Sequence, residues 1–218
     1  MTEYEPTQRT RVRRKPSRGS YDREVIHAIL DEALICHVGF AVDGQPYVIP
    51  TIHARVGERL YLHGSQRNRA FGEVAGGTPC CVTASLVDGI VLARSATQHS
   101  LNYRSAIILG TGRRVTEPDE KTAALRAVVE HIVPGRWDEV RGPSAEELDE
   151  TQVIAMDIEE ASAKARTGPS IDKRGDVDAE RWAGVLPLEI SATAPIPGED
   201  VQPELPIPSH VADWRRGQ

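Results

Sequence analysis

The chain has 218 residues, 39% of them apolar and only 5% aromatic, which is enough to bury the core of one domain. Its formal net charge of -6 argues against a protein that coats nucleic acid, and apolar runs such as Ala106-Ile107-Ile108-Leu109 are far too short for a membrane helix. Three cysteines without a Cys-x-x-Cys spacing read as reduced and structural, and no basic flank precedes an apolar run near Met1, so the expected compartment is the cytoplasm.

Residues 1–20 read as an extended basic arm, in which Arg9, Arg11, Arg13, Arg14, Lys15 and Arg18 fall within ten residues that hold no acid. Such an arm is first a solvated segment or one laid over an acidic partner subunit, and second a contact for phosphate. No aromatic side chain is interleaved for base stacking, so nucleic acid is not an expected partner. A helix begins after Asp22, with Val25, Ile26, Ile29, Leu30 and Ala33 on one stripe behind an Asp cap. The period then changes to two. Cys36, Val38, Phe40 and Val42 alternate, Asp43-Gly44 supplies a tight turn, and a return strand is expected over 45–56.

The next strand, 59–63, leads through Gly64 and Ser65 into Arg67, Asn68 and Arg69, with a two-turn helix expected over 67–75. An apolar strand running into Gly, small polar side chains and guanidiniums is a way to deliver an anion to a helix start, where free amides favour a phosphate. Strands are expected over 79–87, over 90–97 after a turn at Asp88-Gly89, and over 103–115. A helix over 118–133 starts at Pro118 and ends before Pro134-Gly135, and Ser144-Ala145-Glu146-Glu147 is a capping box for a short helix reaching Asp149. Residues 151–158 alternate as a strand, 181–190 offer a last one, and the proline-rich stretch 191–218 reads as an extended tail. The division expected is an arm at 1–20, a domain at 21–190 and the tail. Mostly antiparallel strands with a few helices between them give an α+β, mainly β, barrel.

Gly110-Thr111-Gly112-Arg113-Arg114-Val115 starts like a dinucleotide fingerprint, but lacks the third Gly and continues as a strand where a helix is required. No Gly-x-Ser-x-Gly elbow anchors a hydrolase triad. His37, His53, His63 and His99 lie on or beside expected strands, either as separate core and surface histidines or as a set converging on a metal or haem iron; no two share ligand spacing, and no metal site is assigned. The polar run from Gln98 to Ser105 enters a buried strand, and its side chains either line a ligand pocket at the barrel mouth or face water.

Taken together, Val48-Ile49-Pro50-Thr51, Leu60-Tyr61-Leu62-His63-Gly64-Ser65 with Asn68-Arg69, His99-Ser100-Leu101-Asn102-Tyr103-Arg104-Ser105 followed by Gly110, Ser162 to Pro169, and Trp182 to Leu188 resemble the pyridoxamine-phosphate-oxidase-related, FMN-binding split-barrel proteins. The branch is the one labelled flavin-nucleotide-binding or nitroimidazole-resistance-like, and the resemblance covers about residues 9–190. It implies a six-stranded antiparallel split β-barrel with flanking helices that forms a homodimer, with FMN held at the subunit interface. The FMN phosphate falls on Ser65, Asn68 and Arg69, helped by Thr51, while Val48, Ile49, Pro50 and Thr51 back the isoalloxazine ring. Arg104 and Ser105 meet the flavin as a polar pair, and Trp182 comes from the neighbouring subunit. His63, Gly64, His99, Asn102 and Tyr103 complete the cofactor-binding set, with His63, His99 and Tyr103 toward the substrate.

Departures from the family pattern narrow the activity. Asn68 stands where the family has Ser, Ala70 where authentic oxidases have Lys, and their Arg-x-His-x-Arg substrate segment is replaced by Trp182 to Leu188. The resemblance therefore implies a cytoplasmic FMN oxidoreductase acting on a small electron-poor molecule, such as a nitroaromatic or quinone, rather than on vitamin B6. The flavin carries the chemistry, so no catalytic side chain is named, and neither nucleic acid nor membrane is an expected partner. The alternative is a non-catalytic protein that holds a flavin, a deazaflavin or haem: haem if the strand histidines converge, a deazaflavin if the basic arm folds over the pocket.

Overall fold

The computed structural model describes residues 2–177, 180–202 and 204–217, without the side chains of Arg69 and Ala70. Its strands are β1 Gly19–Ser20, β2 Cys36–Val42, β3 Gln45–Thr51, β4 His53–Val56, β5 Arg59–Ser65, β6 Pro79–Leu92, β7 Ser100–Thr111, β8 Arg113–Arg114, β9 Thr151–Asp157, β10 Glu160–Arg166 and β11 Gly184–Pro187. The helices are α1 Arg23–Glu32, α2 Arg69–Ala75, α3 Pro118–Ile132, α4 Ala145–Glu150 and α5 Ser209–Ala212. One sheet runs β1-β10-β7-β6-β2-β3, with β11 added along the far end of β6, and the other runs β4-β5-β9-β8. All named strand pairs are antiparallel. This is the mainly β split barrel that the motifs imply.

Local chemistry explains most boundaries. Asp22 caps α1 by accepting from the amides of Glu24 (2.8 Å) and Val25 (3.3 Å), and α1 buries Ile26, Ile29 and Leu30 in the main core. That core joins Val38, Val82 and Ile108 of the first sheet to Leu60, Leu62, Ile154 and Met156 of the second. Each such side chain contributes about 1.5–3 kcal/mol by leaving water. Asp43 and Gly44 take φ of 50° and 79°, the left-handed pair that a two-residue hairpin turn demands. The capping box forms in full, with Ser144 and Glu147 each accepting from the other's amide.

Four expectations about strands change. The return strand over 45–56 divides at Ile52, because β3 stays with β2 in the first sheet while β4 crosses to pair with β5 in the second. The turn at Asp88-Gly89 does not form. The ladder to β7 continues through it with a register shift between Val87 and Gly89, and β11 packs so close that a Cβ on Gly89 would lie 3.1 Å from the carbonyl oxygen of Leu186. The strand over 103–115 breaks at Gly112, where a Cβ would lie 2.7 Å from Ile154 Cγ2 and 2.9 Å from the Val74 carbonyl, so the chain changes sheets there. Strand β10 is absent from the sequence reading, although Glu160, Ser162, Lys164 and Arg166 alternate with alanines, because alanine carries little strand preference.

Both termini are docked near their ends, while residues 191–202 are mostly exposed and without regular structure. Tyr4 is buried and its amide donates to the Tyr21 carbonyl at 2.8 Å, while Thr7 and Arg9 bind Glu160 of β10. At the other end, the Trp214 indole donates to the Ile132 carbonyl at 2.8 Å and holds the tail against the end of α3. Among the described residues, no helix is long and apolar enough to cross a membrane.

Candidate functional site

Strand register decides which of the expected site residues can meet. Residues directly opposite in a ladder share a face, and neighbours along a strand point to opposite faces. Val48 and Pro50 of β3 therefore share a face with His37 of β2, with Tyr103, Ser105 and Ile107 of β7 and with Lys164 of β10. Call this the outer face. Ile49 and Thr51 lie on the inner face, where Ile49 packs against the core and the Thr51 hydroxyl donates to the Ile52 carbonyl at 3.4 Å.

This alternation puts the two residues of the expected flavin pair on opposite faces. Arg104 points inward, donating to Asp88 at 2.7 and 3.0 Å and to Glu32 of α1 at 2.8 Å, and these two carboxylates raise its pKa far above the ordinary value. Ser105 points outward and donates to the Lys164 carbonyl at 3.2 Å. Trp182 is exposed and packs beside Gly184, which is paired with Leu92, whereas the row containing Val48 crosses β6 at Cys81. At about 3.3 Å per residue these rows are roughly 36 Å apart, so one chain does not bring Trp182 to β3.

A hollow of about 790 Å³ opens where β5 ends, lined by His63, Gly64 and Ser65 with Arg67 on one side and Glu147, Asp149 and Glu150 on the other. Gly64 is required here, since a Cβ would lie 2.6 Å from the Phe71 ring that packs α2 onto β5. The Asn68 side-chain oxygen accepts from the Phe71 amide at 3.4 Å and caps α2, a helix of only seven residues, so its Nδ2 is the group left to donate to a ligand. The side chain expected to grip phosphate most strongly, Arg69, lies outside the described residues. Facing this end, the Glu147 carboxyl is pulled down to about 2 by Arg141 and by the Ser144 amide, so it stays ionised. The expected phosphate grip thus faces the carboxylates of α4, of which Glu147 is paired with Arg141.

His63 has different surroundings. Its Nδ1 is buried with no hydrogen-bond partner among the described residues, and burial lowers its pKa, which keeps the imidazole neutral. The other strand histidines do not join it. His53 is opposite Leu62, so it shares that residue's face and not that of His63; its Nε2 bonds to the Leu30 carbonyl at 2.9 Å, and its ring lies 4.9 Å from that of His131. His37 is exposed on the first sheet, and His99 Nδ1 bonds to the Ser95 carbonyl at 3.0 Å. Among the described residues no group of three or more His, Cys, Asp and Glu side chains could hold a metal ion by itself.

A second hollow, of about 550 Å³, lies under the arm. Arg14, Lys15 and Arg18 of the arm and Lys164 and Arg166 of β10 converge on it, His99, Ser100 and Tyr103 form part of its wall, and no carboxylate lines it. Arg166 is 5% exposed and donates only to neutral oxygens: Asn102 Oδ1, the Gly168 carbonyl at 3.0 Å and the Pro169 carbonyl at 2.7 Å. Burial, then the Arg18 cation, lowers its pKa. In sequence the arm and the run from His99 to Ser105 are joined only by the deazaflavin alternative, in which the arm folds over the pocket. Lys164 and Arg166 are not legible as site residues in sequence, because alanines mask the strand that carries them.

Comparison with known proteins extends the geometry. The model of a family described as pyridoxamine 5'-phosphate oxidase matches residues 22–165. The structure of the flavocytochrome Anf3 from Azotobacter vinelandii is 37% identical, with 97% of this chain and 99% of that one covered at a TM-score of 0.90. An FAD and haem binding protein from Mycobacterium smegmatis is 33% identical, with 91% and 98% covered at a TM-score of 0.87. A structure from Bacteroides thetaiotaomicron, associated with 5-nitroimidazole antibiotic resistance, shares the fold at 23% identity and a TM-score of 0.57, over 67% and 85% of the two chains. A search of curated protein sequences gives no match.

Proposed function

Because this chain belongs to the pyridoxamine 5'-phosphate oxidase family, we propose that it is a homodimeric redox protein in which each chain holds a flavin nucleotide and a haem. The observation that carries the proposal is the similarity to a flavocytochrome over 97% of this chain and 99% of that one. A flavin takes two electrons and a haem one, so together they link a two-electron donor to a one-electron acceptor. A small, flat, electron-poor molecule remains the expected reaction partner.

The chain's own residues fit both groups. A histidine that held haem iron would have to be neutral with room before it, and His63 meets both conditions on a hollow of about 790 Å³. The free Nδ1 leaves it without a competing tautomer lock among the described residues. For the flavin, Val48 and Pro50 present an apolar outer surface on the same sheet face as the polar Ser105, three strands along, and the cationic hollow lies on that side of the sheet. FMN and FAD share that ring chemistry and differ in the adenylate half. FMN follows from the motifs, while FAD is what one relative's description names.

Homodimer formation is supported by apolar side chains left uncovered on one chain, among them Val48 (66% exposed), Trp182 (71%) and Leu186 (51%). The partner's Trp182 is the copy free to reach this chain's β3. Three free thiols accord with the cytoplasm. The test is the visible spectrum of the purified chain after incubation with haemin and each of FMN, FAD and riboflavin, read beside its sedimentation. Flavin bands and a Soret band on a particle of twice the chain mass support the proposal. A chain that retains neither chromophore overturns it.

A further inference from the structure

The geometry points to the hollow under the basic arm as a diphosphate site, one that takes the phosphates of a dinucleotide. Arg14, Lys15, Arg18, Lys164 and Arg166 converge on it, and among the described residues none of the five is in an ion pair with a carboxylate. The neighbouring acid does not supply one either. Asp172 follows Ile171 of the lining, but its carboxylate is held by the Arg94 guanidinium at 2.7 Å and the Arg94 amide at 3.1 Å.

Arg166 is the strongest reason for an anion. A guanidinium 5% exposed, satisfied by three neutral oxygens, carries a charge that no carboxylate among the described residues offsets. Phosphate oxygens would turn that deficit into charge-assisted hydrogen bonds, and the fork of a guanidinium suits them. The volume sets the size of the guest. At about 550 Å³ the hollow is in the range of small-molecule sites and larger than a single phosphate needs. Lys15 and Arg18 sit on the turn that docks the arm through β1 onto β10, where Gly19 pairs with Lys164, so arm and strand close the site together.

Two sources share this chemistry: the diphosphate of a bound FAD, and that of a separate dinucleotide such as a reduced nicotinamide donor. Only the first rests on the flavin proposal. Calorimetric titration of the full chain with sodium pyrophosphate and with ADP tests the site without any flavin. Both are expected to bind, with affinity falling as salt rises. Lys15→Ala and Arg18→Ala should each weaken ADP about ten- to a hundredfold, and Arg11→Ala, outside the hollow, should not. ADP that competes with FAD assigns the site to the flavin, and ADP that binds the FAD-loaded chain assigns it to a second dinucleotide; either outcome upholds the diphosphate site. Failure of pyrophosphate and ADP to bind overturns it, as does an equal loss in Arg11→Ala, which would mean diffuse attraction only. If FMN, FAD and riboflavin all fail while ADP binds, the flavin proposal falls and the diphosphate site stands.

Discussion

The hollow at the end of β5 and the hollow under the arm are both large enough for a small ligand, yet they collect opposite charges. The first sets Arg67 against Glu147, Asp149 and Glu150; the second gathers five cations and no carboxylate. From local sequence the first is the better phosphate site, since it has a strand, a Gly, small polar residues and a helix start. Tertiary neighbours reverse that order. The carboxylates arrive on α4 and its edge, some eighty positions later in the chain, while the cations of the second hollow come from two segments that are each ambiguous alone. The difference teaches that the charge of a site belongs to the elements packed around it, and a motif on one element reports only its own share.

The largest expected effect breaks or confirms the role of the first hollow. His63→Ala should lower haem affinity by more than about a hundredfold, since losing an iron ligand exceeds the 10–100-fold typical of its supporting groups. Flavin binding should persist. Retention of an unchanged Soret band would place the iron elsewhere.

Arg104→Ala separates a structural cation from a ligand-binding one. It leaves Glu32 and Asp88 facing each other without their shared partner, and because the site is partly exposed the cost should be about 2 kcal/mol, read as a shift in the urea midpoint. Flavin and ADP affinities of the folded variant should change little. A large loss of flavin without loss of stability would restore Arg104 to the cofactor site.

Acid should distinguish the hollows. His63 binds iron only when neutral, and burial lowers its pKa, so haem affinity should stay level down to the ordinary histidine value of about 6.5 and decline only below it. Haem lost already near pH 8 would show a ligand other than this imidazole.

The smallest effect concerns Asn68. Its replacement by Ala removes the cap of α2 and should cost about 1 kcal/mol of stability, with flavin affinity changing by less than about threefold. A tenfold loss of FMN with riboflavin unchanged would return the phosphate to this end of the molecule.

Much of the fold is legible in the sequence, because it rests on signals carried by single elements. The Asp22 cap, the Asp43-Gly44 turn and the capping box at Ser144 each act through hydrogen bonds or dihedral preferences within a few residues. What is not legible depends on partners. Crossings between sheets at Ile52 and Gly112 leave the alternation along the chain intact, and the bulge at Gly89 looks like a turn until β7 continues past it. The same holds for the site. Arg104 and Ser105 read as a pair because they are adjacent, and a strand separates them for that reason. In sequence His63 is one of four equal histidines, and only its register and the hollow at the end of β5 set it apart.

The most direct test of two separate sites is simultaneous occupancy. The purified chain is saturated with FAD and titrated with haemin, while flavin release and the Soret band are followed together. The account predicts one haem taken up per chain with the flavin still bound. Displacement of flavin by haemin, mole for mole, would show that one site serves both and would contradict it.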